Sequence, residues 1–158
     1  MSSKNIAIGC AILFSLFVFS AFQSQQSCNP ITRPQLRELI SQLGYEIKNI
    51  NTTTGSESYQ ITTTRNGIDV PVLLSISASN GYIWLTVLLG PAKKDNPGKI
   101  LSLMEENKIV QPCSFYINDL SQLMIGLAVD NRGVNNTILR SRIDFISTHV
   151  GDSKGLWQ

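Results

Sequence analysis

Histidine occurs once in the 158 residues, cysteine three times, and charged side chains make up only 15% of the chain, against roughly 25% in an average soluble protein. Each scarcity removes a class of function. A lone imidazole, His149, cannot build a histidine-rich metal centre. It falls in the last turn of an apolar-periodic segment, where a cation assists the helix dipole rather than a reaction. Lys and Arg number 13 against 11 Asp and Glu, the net charge is +2, and no basic run exceeds Lys93 and Lys94. That leaves no electrostatic footprint for nucleic acid or for an anionic membrane face. Apolar residues are not scarce. At 42% hydrophobic, the chain can bury enough surface to offset its conformational entropy, so one folded domain is expected rather than disorder.

The longest apolar stretch is N-terminal. Lys4 precedes residues 6–22 (IAIGCAILFSLFVFSAF), after which the text turns to Gln and Ser. A basic residue, an apolar run and small residues beyond it are the layout of an export leader, here residues 1–24, with Val18 and Ser20 the cleanest small-residue pair for cleavage. The alternative is an uncleaved anchor, because the run sits at the short end of the ~17 to 25 residues that span a bilayer. The membrane then enters only through this segment. Ala7, Ile8, Gly9 and Cys10 imitate a lipidation box, but such a box follows its apolar region and this one precedes it.

Removal of Cys10 with the leader leaves an even pair, Cys28 and Cys113, in a compartment where disulfides persist, and a bridge between them is the candidate. Two cysteines and one histidine do not fill a four-ligand zinc site. No metal or cofactor is expected.

Residues 30–151 read as one α+β domain. Thr32 and Gln35 have capping-box spacing, Pro34 suits a first turn, and Leu36, Leu39, Ile40 and Leu43 recur at helical spacing before Gly44. Residues 45–50 form a weak strand. Three apolar runs follow, divided by Asn66 and Gly67 and by Asn80 and Gly81, the dipeptides that best fit a two-residue hairpin turn. Taken literally, the first turn sets Thr63 opposite Val70, Ile61 opposite Val72 and Tyr59 opposite Leu74. The second sets Ile76 opposite Leu85, Leu74 opposite Val87 and Val72 opposite Leu89. Both put the apolar set on one face and leave Gln60, Thr62, Ser75 and Ser77 with Leu73, Tyr82, Trp84 and Leu88 on the other. A second helix from Pro97 to near Asn107 carries Ile100, Leu101, Leu103 and Met104. An extended pair after Pro112 turns at Asn118 and Asp119, and a last helix runs from an Asn cap at 135 or 136 to Gly151. Residues 152–158, with Leu156 and Trp157, read as a tail. The expected architecture is helix, antiparallel meander, helix, β-hairpin, helix, with the helices on one face of the sheet.

Chemistry is mostly eliminated, and no catalytic residue is assigned. Glu105 and Glu106 are neighbours on a helix and point about 100° apart, unlike the paired carboxylates of a hydrolase. Gly98 and Lys99 imitate the end of a phosphate loop whose first Gly and closing Ser/Thr are missing. Asp130 to Gly133 lacks the acidic third position of a calcium loop and has Ser141 where its bidentate Glu belongs. Asn51 and Asn135 open glycosylation sequons, which matter only in a host that glycosylates. Two surfaces remain as candidates. Leu73, Tyr82, Trp84 and Leu88 make an aromatic-apolar cluster on an otherwise polar face, where a partner would gain apolar burial. Ile100, Leu103 and Met104 cover more than one helical stripe and fit a dimer helix.

The element order, residues 82–90 (YIWLTVLLG), residues 101–107 followed by 115–119 (FYIND), and Ile138, Leu139, Ile143 and Asp144 with the closing Leu156 and Trp157 resemble the type III secretion chaperone-like fold, in particular its YbjN-like branch. The resemblance runs from about residue 33 to the end. It implies a non-enzymatic protein that binds a partner polypeptide or forms a homodimer through its second helix. Secretion chaperones are cytoplasmic and tend to be acidic, whereas this chain carries a leader and a slight positive charge, so an exported YbjN-like protein of the envelope fits better than an effector chaperone. A binding module, a structural component of an envelope complex and a small secreted enzyme are the three readings that follow.

The leader has a direct test. Mass spectrometry of the protein from its native host is expected to find an N-terminus between about residues 21 and 26 and the protein outside the cytoplasm; an intact N-terminus in a soluble cytoplasmic fraction overturns the export reading.

Overall fold

A computed structural model describes residues 29–92 and 96–158; the leader and Cys28 lie outside them. The first helix, α1 (Arg33–Gln42), starts where the spacing predicts. The Thr32 hydroxyl accepts from the Gln35 amide while the Gln35 side chain accepts from the Thr32 amide, which closes the capping box. Four strands follow: β1 (Lys48–Asn51), β2 (Ser58–Arg65), β3 (Ile68–Ile76) and β4 (Tyr82–Pro91). Helix α2 (Pro97–Glu106), strands β5 (Ser114–Ile117) and β6 (Gln122–Asp130), helix α3 (Asn136–Asp152) and the short α4 (Lys154–Trp157) complete the chain. The six strands form one antiparallel sheet in the order β1-β2-β3-β4-β6-β5. The fold is α+β.

The β2–β3 turn behaves as its sequence predicts. Asn66 and Gly67 both adopt positive φ, 48° and 71°, as a two-residue turn of matching twist requires. Thr63 faces Val70, Ile61 faces Val72 and Tyr59 faces Leu74. The second turn differs. Asn80 has φ 56°, but Gly81 stays at negative φ, so the pair does not form the two-residue turn. The chain instead closes a longer loop, with the Asn80 amide donating to the Ser77 carbonyl and the Ser77 amide to the Tyr82 carbonyl, both at 2.9 Å. The Ser77 hydroxyl accepts from the Tyr82 amide at 3.1 Å. The register therefore moves by two residues, with Ile76 opposite Ile83 and Leu74 opposite Leu85. A shift of two conserves the face of every side chain, whereas a shift of one would invert them all.

The inward face carries Ile61, Val70, Val72, Leu74, Ile83, Leu85, Val87, Ile125 and Leu127, all buried. Leu36 and Ile40 of α1 and Leu139, Ile143, Ile146 and Val150 of α3 cover it. Residues on this face need almost no polar partner. The exceptions are Thr63, whose hydroxyl donates to the buried Ser147 hydroxyl of α3 at 2.8 Å, and Tyr59, whose hydroxyl donates to the Arg33 carbonyl at 3.2 Å. The β2–β3 turn also grips the far end of α3, through Arg65 to Asp144 at 2.5 Å and Asn66 Nδ2 to Asp152 Oδ1 at 2.8 Å.

Residues 152–158 are not a loose tail. Helix α3 continues through Asp152, α4 follows, and the Trp157 indole N–H donates to the Val150 carbonyl at 3.0 Å. Leu156 and Trp157 pack against the core. Two apolar side chains in a terminal segment gain more from covering α2 than from water.

Asn131, fully buried, joins three segments. Its Nδ2 donates to the carbonyls of Ile31 and Asn80 at 3.0 and 2.9 Å, and its amide donates to the Gly81 carbonyl at 2.9 Å. Replacing it leaves two carbonyl acceptors without their donor. Asn131→Ala is expected to lower stability by about 2 kcal/mol, and Asn131→Asp by more, since a buried carboxylate cannot donate; urea denaturation curves of both variants read the difference.

Candidate functional site

The outward face of the sheet is built by the same alternation that builds the core. From β4 it takes Tyr82, Trp84, Thr86 and Leu88; from β3 Leu73 and Ser75; from β2 Gln60 and Thr62; from β6 Met124, Gly126 and Ala128; and from β5 Ser114 and Tyr116. Tyr82, Trp84 and Leu88 are 50%, 43% and 48% exposed, so the central strand presents its three largest outward side chains to solvent. Leu73 is half-buried. Small neighbours explain the exposure of the indole, because Trp84 pairs with Ser75 on one side and Ala128 on the other, and neither is large enough to cover it.

Tyr116 and Met124 belong to the same surface, although sequence reasoning did not find them. Gly126 pairs with Thr86 and Ser114, and a Cβ placed on it would lie 3.0 Å from the Tyr116 ring. The missing side chain is what lets the ring settle over the sheet, a glycine covered by a cross-strand aromatic. Burial raises the Tyr116 hydroxyl above its ordinary pKa. The signal for Tyr116 is the alternation of β5, but its use requires knowing that β6 inserts between β4 and β5.

Between β2 and β5 the charged residues of this face are Asp69 and Asp130, at opposite ends of the sheet. Asp69 accepts from the Thr64 hydroxyl at 2.9 Å. Asp130 pairs with its own neighbour: the Arg132 side chain donates to it at 3.2 and 3.0 Å and the Arg132 amide at 2.9 Å. Those hydrogen bonds hold the Asp130 carboxyl below the usual range. The centre of the face is uncharged and aromatic.

The second candidate surface divides. Leu103 is 4% exposed and belongs to the core, which removes it from any dimer helix. Its stripe turns inward because Phe115 and Trp157 lie beneath it, with Ile100 half-buried at the rim of the same narrow apolar cleft. Met104 and Leu101 remain exposed. The cleft, lined also by Leu123 and Leu156, holds about 30 Å³, room for about one water and not for a ligand.

The chemistry-bearing residues stay apart. His149 sits in the last turn of α3, its ring edge-on to Phe145 at 4.4 Å, behind the sheet and away from Trp84. Among the described residues no group of three His, Cys, Asp or Glu could hold a metal ion, and no helix is long and apolar enough to cross a membrane. Cys113 is 2% exposed, and its proposed partner Cys28 is outside the described residues. No protein-family model matches the chain, and no curated protein matches it.

Burial pushes the Cys113 thiol up to about 12, opposed by the Arg142 charge. The thiol is neutral in the folded state across the ordinary pH range. Because the folded value is raised, the contribution to stability is complete below the unfolded value near 9 and is lost as pH climbs toward 12. Under reducing native conditions at pH 8, a thiol reagent is expected to spare Cys113 and to label it on unfolding; rapid native labelling would contradict the burial.

Proposed function

We propose that this chain is an exported, non-enzymatic binding module whose outward sheet face takes a protein partner. One observation carries the reading: Tyr82 and Trp84, with Leu88 beyond Thr86, are about half exposed along one central strand of a sheet face whose middle carries no charge. A folded domain rarely exposes a Trp, a Tyr and a Leu along one strand without use for them. Aromatic anchors at the centre with Gln60, Thr62 and Ser114 around them reproduce the anatomy of an interface, an apolar centre inside a polar rim. The residues suited to reaction chemistry lie elsewhere and do not converge. Export is part of the same proposal and rests on Lys4 and the apolar residues 6–22.

Affinity capture from the envelope fraction, with the wild-type chain and with Trp84→Ala, tests the reading. A hot-spot aromatic is worth about 2 kcal/mol or more, so the variant is expected to bind about 30-fold more weakly while its unfolding curve stays near wild type. Equal capture by both forms overturns the assignment of the face.

A further inference from the structure

We infer that the occupant of the outward face is a second copy of this chain, packed sheet against sheet; the inference rests on the binding reading of that face. The first argument is what the surface cannot accommodate. An extended peptide binds by adding a strand to an open sheet edge, and a helical one by lying in an apolar groove. The β5 edge is closed. Asn107, which caps α2, accepts from the Phe115 amide through Oδ1 at 2.6 Å and donates to the Phe115 carbonyl through Nδ2 at 3.2 Å. The outward-pointing backbone groups of the middle of β5 are thereby used. The other edge, β1, is four residues long, irregular between Asn49 and Asn51, and carries Lys48, features that discourage strand addition. The apolar cleft lies beside α2, off the Trp84 face. A sheet face opposed to another sheet face is the packing mode left.

The second argument is charge. A surface that docks on itself brings every charge near a copy of its own set, so a charged centre would repel. Here the centre has no charge, and Lys48, Asp69 and Asp130 stand at the perimeter, where solvent screens them. The third is area. Five inter-strand steps of ~4.8 Å and about seven residues at ~3.3 Å give roughly 550 Å² per copy, or about 1,100 Å² for the pair. That lies just above the ~1,000 Å² a specific interface needs and below the standard ~1,600 Å². The dimer is weak and concentration-dependent, with Trp84 and Thr86 at its centre and Tyr82 and Leu88 to either side along β4.

Sedimentation equilibrium of the protein purified from its native host, between about 5 and 500 μM, tests this. A reversible monomer–dimer equilibrium is expected. Trp84→Glu is expected to raise the dissociation constant about 30-fold or more, the equivalent of about 2 kcal/mol, and Met104→Glu on α2 to change it less than about twofold. Thr86→Arg supplies a second disruption that leaves the aromatic residues in place, and circular dichroism establishes that each variant is folded. A chain that is monomeric throughout overturns the inference, as does a dimer that survives Trp84→Glu and Thr86→Arg but is lost in Met104→Glu. Monomeric behaviour together with Trp84-dependent capture of a different protein removes the second copy and leaves the binding reading standing. Indifference of both experiments to Trp84 removes both.

Discussion

Side chains leave a strand alternately to one side and the other, and the helices that cover this sheet, α1 and α3, lie on one side only. The outward residues of the strands are therefore covered only by one another, as Gly126 is by Tyr116, unless another molecule meets them. The inward set is almost purely aliphatic because α3 presses Leu139, Ile143, Ile146 and Val150 onto it. The outward set could have been wholly polar at no cost to that core. On β2 it is, with Gln60, Thr62 and Thr64. On β4 it is not, and β4 pairs with β6 from Tyr82 to Pro91 and with β3 over Ile83 to Thr86, so Trp84 has a strand on both sides. The exposed aromatics thus sit on the most rigid part of the scaffold, where two ladders of hydrogen bonds hold their Cα positions and docking would need little ordering of backbone.

Much of this architecture is legible in local sequence. The capping box at Thr32, the Asn135 cap, the stop at Gly44 and the β2–β3 register all follow from side chains within a few residues of one another. The β3–β4 register does not, because Asn80 and Gly81 resemble a two-residue turn in composition while Ser77 and Ser79 supply competing hydroxyl acceptors that favour a longer loop. The division of the faces survives that error, since alternation depends only on parity. Insertion of β6 between β4 and β5 is a non-local choice. No local motif announces it, and the same holds for the folding of Leu156 and Trp157 over α2.

The candidate site shows the same split. Leu73, Tyr82, Trp84 and Leu88 are legible because two hairpin turns place them by parity alone. Leu103 is misread because α2 carries apolar residues around more than half of its circumference, and periodicity cannot say which stripe meets the core; Phe115 and Trp157, distant in sequence, decide it. Tyr116 is missed for a related reason. Its place on the surface depends on Gly126 lying under its ring, and a glycine within a strand signals close approach of some group without naming which.

Asn107 links the fold to the manner of binding. An edge strand such as β5 presents unpaired backbone groups to a second chain, and the side chain that ends α2 takes both the donor and the acceptor of Phe115. The same residue therefore terminates a helix, orders the α2–β5 connection and closes an edge. With that edge closed, association is directed from backbone hydrogen bonding, which is indifferent to sequence, toward side-chain contact on the face, which depends on it. On the proposed reading, specificity would reside in a few outward residues of β4 and their small neighbours Ser75, Gly126 and Ala128. Enlarging any of those three would cover Trp84 or displace Tyr116 without touching the core, so the outward surface can change while the fold beneath it stays the same.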